Sequence, residues 1–536
     1  MDLLANWKIL FSVFPGLVLF LYGIEHFSVE IQRVAGERFR SLLGKLSNNR
    51  FTGAMLGTLV TAVIQSSTAT TVIVVGLVNA GTISFAQSLG IIFGANIGTT
   101  VTAQLVAFKL TAFAPAFIVL GFIVGIAGGK YKFTGKPIFY FGLVFFSLNL
   151  ISDSIIPIKN DPSLASFFAS LSSLPLAIFV GFIFTVIVQS SSVTSGILVL
   201  LADSGMITLN EGIPLLLGAA IGTTTTAILA SFRMSLHAKR AATAHVLFNL
   251  FGVILLLPFV TPFASLIEGL GGGPGQQLAN ALTVFRLLFA VIFLILLKPF
   301  KSLVERIVTG DEDEILFKTK YLADKLPEDT NESLTIIEKE LQHLIDITKN
   351  LFTESLDVLK QKKSVNYQRV VKLESLNDFL NGRIETAILE LSKRKLNEQD
   401  ARRTILLVRM SNAIEQLGDT ARAFSSTINN MSETRTALSK EVEKNLVEVH
   451  NVFQKNLIVL ARDIREVTCD EIDEMKNNDR ELRELVNEGY STHLKRIQKT
   501  NENSAFINLV STLEVANTKV RDLRKLSELY MKLVIK

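Results

Sequence analysis

Two stretches decide the fold: Thr61-Ala-Val-Ile-Gln65-Ser66-Ser67-Thr68-Ala-Thr70 and, 124 residues later, Thr185-Val-Ile-Val-Gln189-Ser190-Ser191-Ser192-Val-Thr194. Each sets a glutamine and a run of hydroxyls at the centre of an apolar segment, 51–81 and 174–205. The apolar halves are about 12 residues or more, and about 18 Å at 1.5 Å per residue, short of the ~30 Å of hydrocarbon in a bilayer. Non-helical backbone at membrane depth survives only where protein buries it or water reaches it. Both segments are therefore predicted to be re-entrant hairpins with polar turns near the midplane.

Around them lie apolar runs at 9–30, 84–107, 111–129, 137–152, 211–232, 241–259 and 279–298, read as crossings. The first run lacks a basic start and an obvious cleavage site, so it reads as a retained helix rather than a signal peptide. With both hairpins returning to their starting side, the connections fall into two sets. One carries Arg33, Arg38, Arg40, Lys45, Arg50, Lys130, Lys132, Lys136, Arg233, Lys239 and Arg240; the other has only Lys8, Lys109 and Lys159. The positive-inside rule puts the first set in the cytoplasm. Lys298, Lys301 and Arg306 then place the charged half, 310–536, there too. The whole is expected in the cell (inner) membrane, with the lipid bilayer as its solvent.

A shift of 124 residues aligns Gly53–Leu105 with Ala177–Leu229 without a gap, with 20 identities in 53 pairs. The identities include Gly57/Gly181, Thr61/Thr185, Gln65-Ser66-Ser67/Gln189-Ser190-Ser191, Thr70/Thr194 and Gly81/Gly205. Three crossings separate equivalent points of the copies, an odd number, so the second copy is expected upside down. Inverted repeats with interrupted hydrophobic segments characterise secondary transporters, with substrate at the repeat interface.

The segment after each hairpin carries a second interruption, Gly94-Ala-Asn96-Ile-Gly-Thr99-Thr100 and Gly218-Ala-Ala220-Ile-Gly-Thr223-Thr224. Paired glycines weaken a helix, and broken helices offer N–H groups to an anion and carbonyls to a cation. A tetrahedral oxyanion suits several hydroxyls, Gln amides and helix N-termini. The sequence shows no Arg or Lys beside either motif, so Na⁺ would offset the anion's charge, a physical route to coupling. Sulfate or a dicarboxylate would satisfy the same reasoning. Small and hydroxylated residues also serve close helix packing, but their recurrence with Gln at both hairpin centres favours a substrate site.

At these residues the chain resembles the type II sodium-dependent phosphate cotransporters, whose hallmark is a pair of Gln-Ser-Ser-Ser motifs. The resemblance spans about residues 10–300. It implies phosphate as substrate, Na⁺ as coupling ion, and Gln65, Ser66, Ser67, Thr68, Gln189, Ser190, Ser191 and Ser192 as the phosphate site. Asn96, Thr99, Thr100, Thr223 and Thr224 lie beside it as sodium ligands. This chain departs from the pattern at Thr68, which stands for serine, and at Ala220, which matches Asn96. Ala244-His245-Val-Leu-Phe248-Asn249 resembles a family His-x-x-Phe-Asn element; Ala281-Leu282-Thr-Val-Phe285-Arg286 has lost the His and Asn. His245 and Asn249 share a helix face and are read as packing hydrogen bonds. Glu25 and His26 are read as snorkelling at a helix end.

Residues 311–536 contain one proline, Pro327, and apolar residues at three- and four-residue spacing such as Leu376, Phe379, Leu380 and Ile384. They predict an antiparallel helical bundle, so the chain is all-α: a polytopic membrane domain, 1–309, with repeats about 51–105 and 175–229, then a cytoplasmic bundle. The bundle resembles a PhoU domain. Glu374 and Asp378, and Glu415 and Asp419, pair at i, i+4, a platform for a divalent or iron metal; the related Glu514 has Thr518 where Asp would stand. Such charges more often form a solvated face, and a regulatory role is preferred, with a cytoplasmic regulatory protein or a homodimer as partner.

The lone Cys469 excludes an intrachain disulfide. No nucleotide loop, activated nucleophile or nucleic-acid signature is evident, so an enzyme or nucleic-acid role is not expected. The rival reading is a membrane-anchored phosphate sensor; a channel fits symmetric hairpins less naturally.

Overall fold

The computed structural model describes residues 3–46, 49–108, 110–126, 132–155, 173–310, 314–323, 325–361, 364–434, 440–465, 467–497 and 505–534. Of the basic residues above, Lys109, Lys130 and Lys159 lie outside the described residues, as do the side chains of Lys8, Lys45 and Lys132. The chain forms two compact units, Met1–Glu314 and Ile315–Lys536, and among the described residues there is no strand.

The first unit runs α1 Leu3–Leu46, α2 Arg50–Ile64, α3 Ser67–Asn79, α4 Phe85–Gly98, α5 Thr100–Ala107, α6 Ala114–Ile126, α7 Lys132–Ile155, α8 Leu174–Val188 and α9 Ser191–Asp203. It continues with α10 Leu209–Gly222, α11 Thr225–Ser231, α12 Leu236–Leu256, α13 Val260–Gly269, α14 Pro274–Ile295 and α15 Leu297–Ile307. Among the described residues six helical stretches are long and apolar enough to cross a membrane: Val13–Gly44, Phe85–Ala107, Phe133–Ile155, Leu209–Ser231, Leu236–Gly269 and Pro274–Ile295. The crossing expected at 111–129 is a 3-10 turn, Leu110–Phe113, followed by α6, with 127–129 outside the described residues. The connection expected at 31–50 is mostly helix, because no proline follows Pro15 to end α1; Arg33, Arg38 and Arg40 therefore lie on that helix. Pro258 and Pro262 each remove an N–H donor, and α12 passes through the 3-10 turn Leu257–Phe259 into α13.

The repeat seen in the sequence is a repeat of contacts. Helix α2 lies along α4, and α8 lies along α10 in the same way. A Cβ added to Gly57 would sit 2.2 Å from the Ile91 carbonyl oxygen, and one on Gly181 2.1 Å from that of Leu215. Gly94 meets the Ala54 oxygen at 1.9 Å, and Gly218 the Ile178 oxygen at 2.0 Å. Every partner moves by the same 124 residues. Backbone packed this tightly admits only glycine.

Phe93, Phe248, Phe293 and Phe300 close one side of the core, with Phe93 stacked on Phe248 at 4.7 Å. The end of the unit is fastened down. Arg240 donates from Nε to the Val308 carbonyl at 3.1 Å and from Nη2 to that of Gly310 at 3.3 Å. Glu314 Oε1 accepts from the Phe85 N–H at 2.5 Å, at the start of α4.

Among its described residues the second unit has six helices around one core: α16 Thr330–Gln361, α17 Ser364–Ser392, α18 Glu398–Glu433, α19 Lys440–Arg462, α20 Cys469–Ile497 and α21 Ala505–Val534. Leu376, Leu380 and Ile384 are buried in that core and Phe379 packs against it, as their spacing requires. Helices α16, α17 and α18 form one three-helix set, to which α18 joins α21. Cys469 is exposed.

Candidate functional site: two serine-capped hairpin tips

Each hairpin turns in two residues, and both turns are built alike. Gln65 ends α2 with φ 59° and ψ 24°; Gln189 ends α8 with φ 56° and ψ 22°. Among the described residues these are the only non-glycine residues with positive φ. This left-handed conformation is uncommon for glutamine and marks a turn fixed by its surroundings. The next residue, Ser66 or Ser190, is extended and caps the following helix. Ser66 Oγ accepts from the Ala69 N–H at 3.1 Å, and Ser190 Oγ from the Val193 N–H at 3.4 Å. Each serine keeps its own hydroxyl proton for another acceptor.

The legs are stapled by threonines that the sequence reading matched between copies without giving them a role. Thr61 Oγ1 donates to Thr70 Oγ1 at 2.9 Å, and Thr185 and Thr194 share a hydrogen bond of 2.8 Å. Thr70 and Thr194 each donate to the carbonyl of the capping serine at 3.1 Å. One turn of each leg is thereby locked to the tip.

The two tips meet. Ser192 Oγ donates to the Gln65 carbonyl oxygen at 3.5 Å. Gln65, Ser67, Ser191 and Ser192 are buried, Ser66, Thr68 and Ser190 half-buried, and Gln189 exposed. Gln65 is held by Thr102, whose Oγ1 donates to its Oε1 at 2.5 Å, while Nε2 donates to the Ala62 carbonyl at 2.5 Å. One amide proton of Gln65 is left over. Thr102 was missed in the sequence reading, though it recurs as Thr226 in the repeat.

The breaks at Gly94–Thr100 and Gly218–Thr224 are milder than their glycines suggest. Thr99 has φ −61° and ψ −27°, and Thr223 φ −66° and ψ −19°, still right-handed helical. Their hydroxyls restore what the break loosens: Thr99 Oγ1 donates to the Ala95 carbonyl at 3.0 Å, Thr223 Oγ1 to that of Ala220 at 3.0 Å, and Thr224 Oγ1 to that of Ile221 at 2.8 Å. The oxygens keep lone pairs for a cation. Thr100 is buried beside Thr99.

Asn96 has a partner that the sequence reading did not foresee. It was expected as a sodium ligand, but its Oδ1 accepts from Arg286 Nη1 at 2.9 Å. Arg286 thus lies in space beside the Gly94–Thr100 segment, which has no basic neighbour along the chain.

In the second unit Glu374, Asp378 and Asp419 bring ligand oxygens within 4.8 Å of one another; Glu415 is not in that group. Burial, then Glu374 and Asp419, pushes the Asp378 carboxyl up to about 6. Burial, with Asp419 and Asp378 next, also raises Glu415. Three carboxylates suit a hard divalent cation, but Arg422 already donates to Glu374 Oε1 at 2.7 Å and meets part of the charge.

The Na+/Pi-cotransporter family model matches residues 19–153 and 162–293, which include both hairpins, and the PhoU domain model matches 341–428. Uncharacterized protein YqeW of Bacillus subtilis is 30% identical over 275 residues, 51% of this chain and 89% of that one. The provisionally named inorganic phosphate export protein YjbB of Salmonella typhimurium is 25% identical over 454 residues, 84% of this chain and 83% of that one. Sodium-dependent phosphate transport protein 2B of Homo sapiens is 44% identical over 104 residues, 19% of this chain and 15% of that one. No solved structure matches the chain. The chain belongs to the Na+/Pi-cotransporter family, a family of phosphate transporters and not of enzymes, and it carries a PhoU domain beyond its membrane part.

Proposed function

We propose that this protein is a secondary carrier of inorganic phosphate coupled to sodium, binding its substrate between the two hairpin tips. The observation that carries the reading is the meeting of Gln65 and Ser192, which brings two serine-capped helix N-termini to one place. The first N–H groups of a helix have no intrahelical partner, and the dipole makes that end attractive to an anion. Ser66 and Ser190 accept from their own helices and keep a proton to donate; with Ser67, Thr68 and Ser191 they offer hydroxyls to phosphate oxygens, and Ser192 would do so by exchanging its long bond to the Gln65 carbonyl. Gln65 and Gln189 add amide protons.

Sodium is read at Thr99 and Thr100 in the first repeat and at Thr223 and Thr224 in the second, where oxygen lone pairs lie next to the loosened helices. Sodium dependence is borrowed from the human relative's name, and the YjbB name points to export; the gradient would set the direction of net flux. The hairpins are read as entering from opposite faces of the cell membrane, with 310–536 in the cytoplasm as a regulatory domain. The experiment is flux of labelled phosphate into and out of proteoliposomes under an imposed Na⁺ gradient. Flux that follows the gradient in both directions is expected; phosphate flux indifferent to Na⁺ would refute the coupling.

A further inference from the structure

One charge inside the first unit forms no ion pair among the described residues. Arg286 of α14 is 3% exposed and bonds to α4 and α12, where Asn96 is 2% and His245 and Asn249 are each 1% exposed. None of α4, α12 and α14 contains an Asp or Glu. The acids on the other helices packed against α14 are engaged or exposed: Asp203 accepts from the Gly275 N–H at the start of α14, eleven residues from Arg286, Glu211 caps α10 at Thr208, Glu305 pairs with Lys301, and Glu268 is exposed. Arg286 Nη1 donates to the side-chain oxygens of Asn96 and Asn249. Both amides are held so that the oxygen faces the cation: Asn96 Nδ2 donates to the Ile92 carbonyl at 2.8 Å, and Asn249 Nδ2 to that of His245 at 2.9 Å. Arg286 Nε and both ring nitrogens of His245 have no hydrogen-bond partner. A guanidinium in a membrane domain is costly, and such residues mark ion pathways or pair with an opposite charge. Two amide oxygens solvate this one without neutralising it.

We propose that Arg286 is the specificity-determining charge of this carrier, the fixed cation opposite which the oxyanion binds, with Asn96 and Asn249 as its positioning residues. The inference rests on the transport reading and changes it: the protein itself, not sodium alone, supplies positive charge to the substrate. Asn96 lies six residues before Thr102, which holds Gln65 at the first tip, roughly 9 Å of helix at 1.5 Å per residue. Over roughly 10 Å at an effective dielectric constant of about 20, a unit charge alters affinity about tenfold for each unit of charge on the ligand. Arg286 therefore favours dianionic over monoanionic phosphate by about the same factor.

The test uses the purified full chain in lipid nanodiscs, with inorganic phosphate titrated at fixed Na⁺ on either side of its second ionisation. Wild type should bind more tightly as the dianion fraction rises. Arg286→Gln should weaken binding about tenfold for the monoanion and about a hundredfold for the dianion, flattening the pH dependence. Arg286→Lys should keep that dependence. Asn249→Asp sets a carboxylate against the guanidinium; it should raise the melting temperature and still weaken phosphate binding as Arg286→Gln does. A residue that only staples helices predicts otherwise. Unchanged affinity and pH dependence in a folded Arg286→Gln, or in Asn249→Asp should Arg286→Gln not fold, would overturn the proposal. Wild type that binds no phosphate would remove the transport reading, and this proposal with it.

Discussion

Replacing Ser66 by alanine removes two things at once, and replacing it by glycine separates them. The hydroxyl caps α3 through the Ala69 N–H at 3.1 Å, and under the transport reading it also donates to phosphate. Serine to alanine at a helix N-cap costs about 1 kcal/mol, within a range of about 0.5–2, whereas glycine costs only a few tenths. A lost hydrogen bond to a charged ligand costs about 1.5–3 kcal/mol, roughly 10- to 150-fold in affinity. Ser66→Ala should therefore lose both stability and affinity; Ser66→Gly should lose the same affinity at little cost in stability. The Ser190 cap is longer, 3.4 Å, so Ser190→Ala should lose less stability than Ser66→Ala with an equal loss of affinity. Phosphate titration and thermal melting of the same purified samples measure both quantities. If affinity follows melting temperature across the three variants, and Ser66→Gly binds as wild type, the serines are caps alone and the site lies elsewhere.

Gly94→Ala and Gly218→Ala put a Cβ about 2 Å from a carbonyl oxygen of the neighbouring helix and should each destabilise by about 3 kcal/mol, the upper end for overpacking. Gly76→Ala, with open space around it, should be neutral or slightly stabilising in the same melts. His450 is buried and its pKa drawn down to about 4 from 6.5 by that burial. Its neutral form is favoured in the fold, so stability is complete above the unfolded value and lost as pH falls toward the folded one, by about 3 kcal/mol. Hydrogen exchange of Lys440–Arg462 near pH 7 and about pH 5 should reveal the loss, and His450→Gln should reduce it. Asp378 works in the opposite sense: with its pKa raised to about 6, it stabilises at low pH and loses that contribution as pH rises through the folded value. Asp378→Asn should stabilise the second unit at neutral pH by about 1 kcal/mol, discounted because the carboxyl is largely exposed; no gain in its denaturation midpoint would count against the repulsion.

The hairpin segments were legible because a polar centre between two short apolar halves leaves few alternatives in a membrane, and the 124-residue repeat shows the pattern twice. The PhoU core followed from helical spacing at Leu376, Leu380 and Ile384. What the chain could not disclose depends on which distant helices become neighbours. Arg286 and Asn96 are 190 residues apart, so nothing along the chain warns that Asn96 holds a guanidinium, although an arginine in the apolar run 279–298 was itself a signal. Glu415 shares a helix face with Asp419, yet the third carboxylate beside Asp378 and Asp419 is Glu374 from α17. The glycines end α4 at Gly98 and α10 at Gly222, but Thr99 and Thr223 bond back to their own helices, a local bond that composition does not distinguish from a free hydroxyl.

The paired hairpins also act as a record of tolerance, since one chain contains the same structural experiment performed twice. Along α2, Met55, Leu59 and Val63 are exposed; their counterparts Phe179, Ile183 and Ile187 are exposed too, and at each pair the residues differ. Four residues apart on the same helices, Gly57/Gly181, Thr61/Thr185 and Gln65/Gln189 are identical. The outer face has drifted in size and shape while remaining greasy; the inner face, where backbone meets backbone and threonine meets threonine, has not. An engineer can therefore re-dress either hairpin for a different lipid or detergent at the first set of positions and should leave the second set alone.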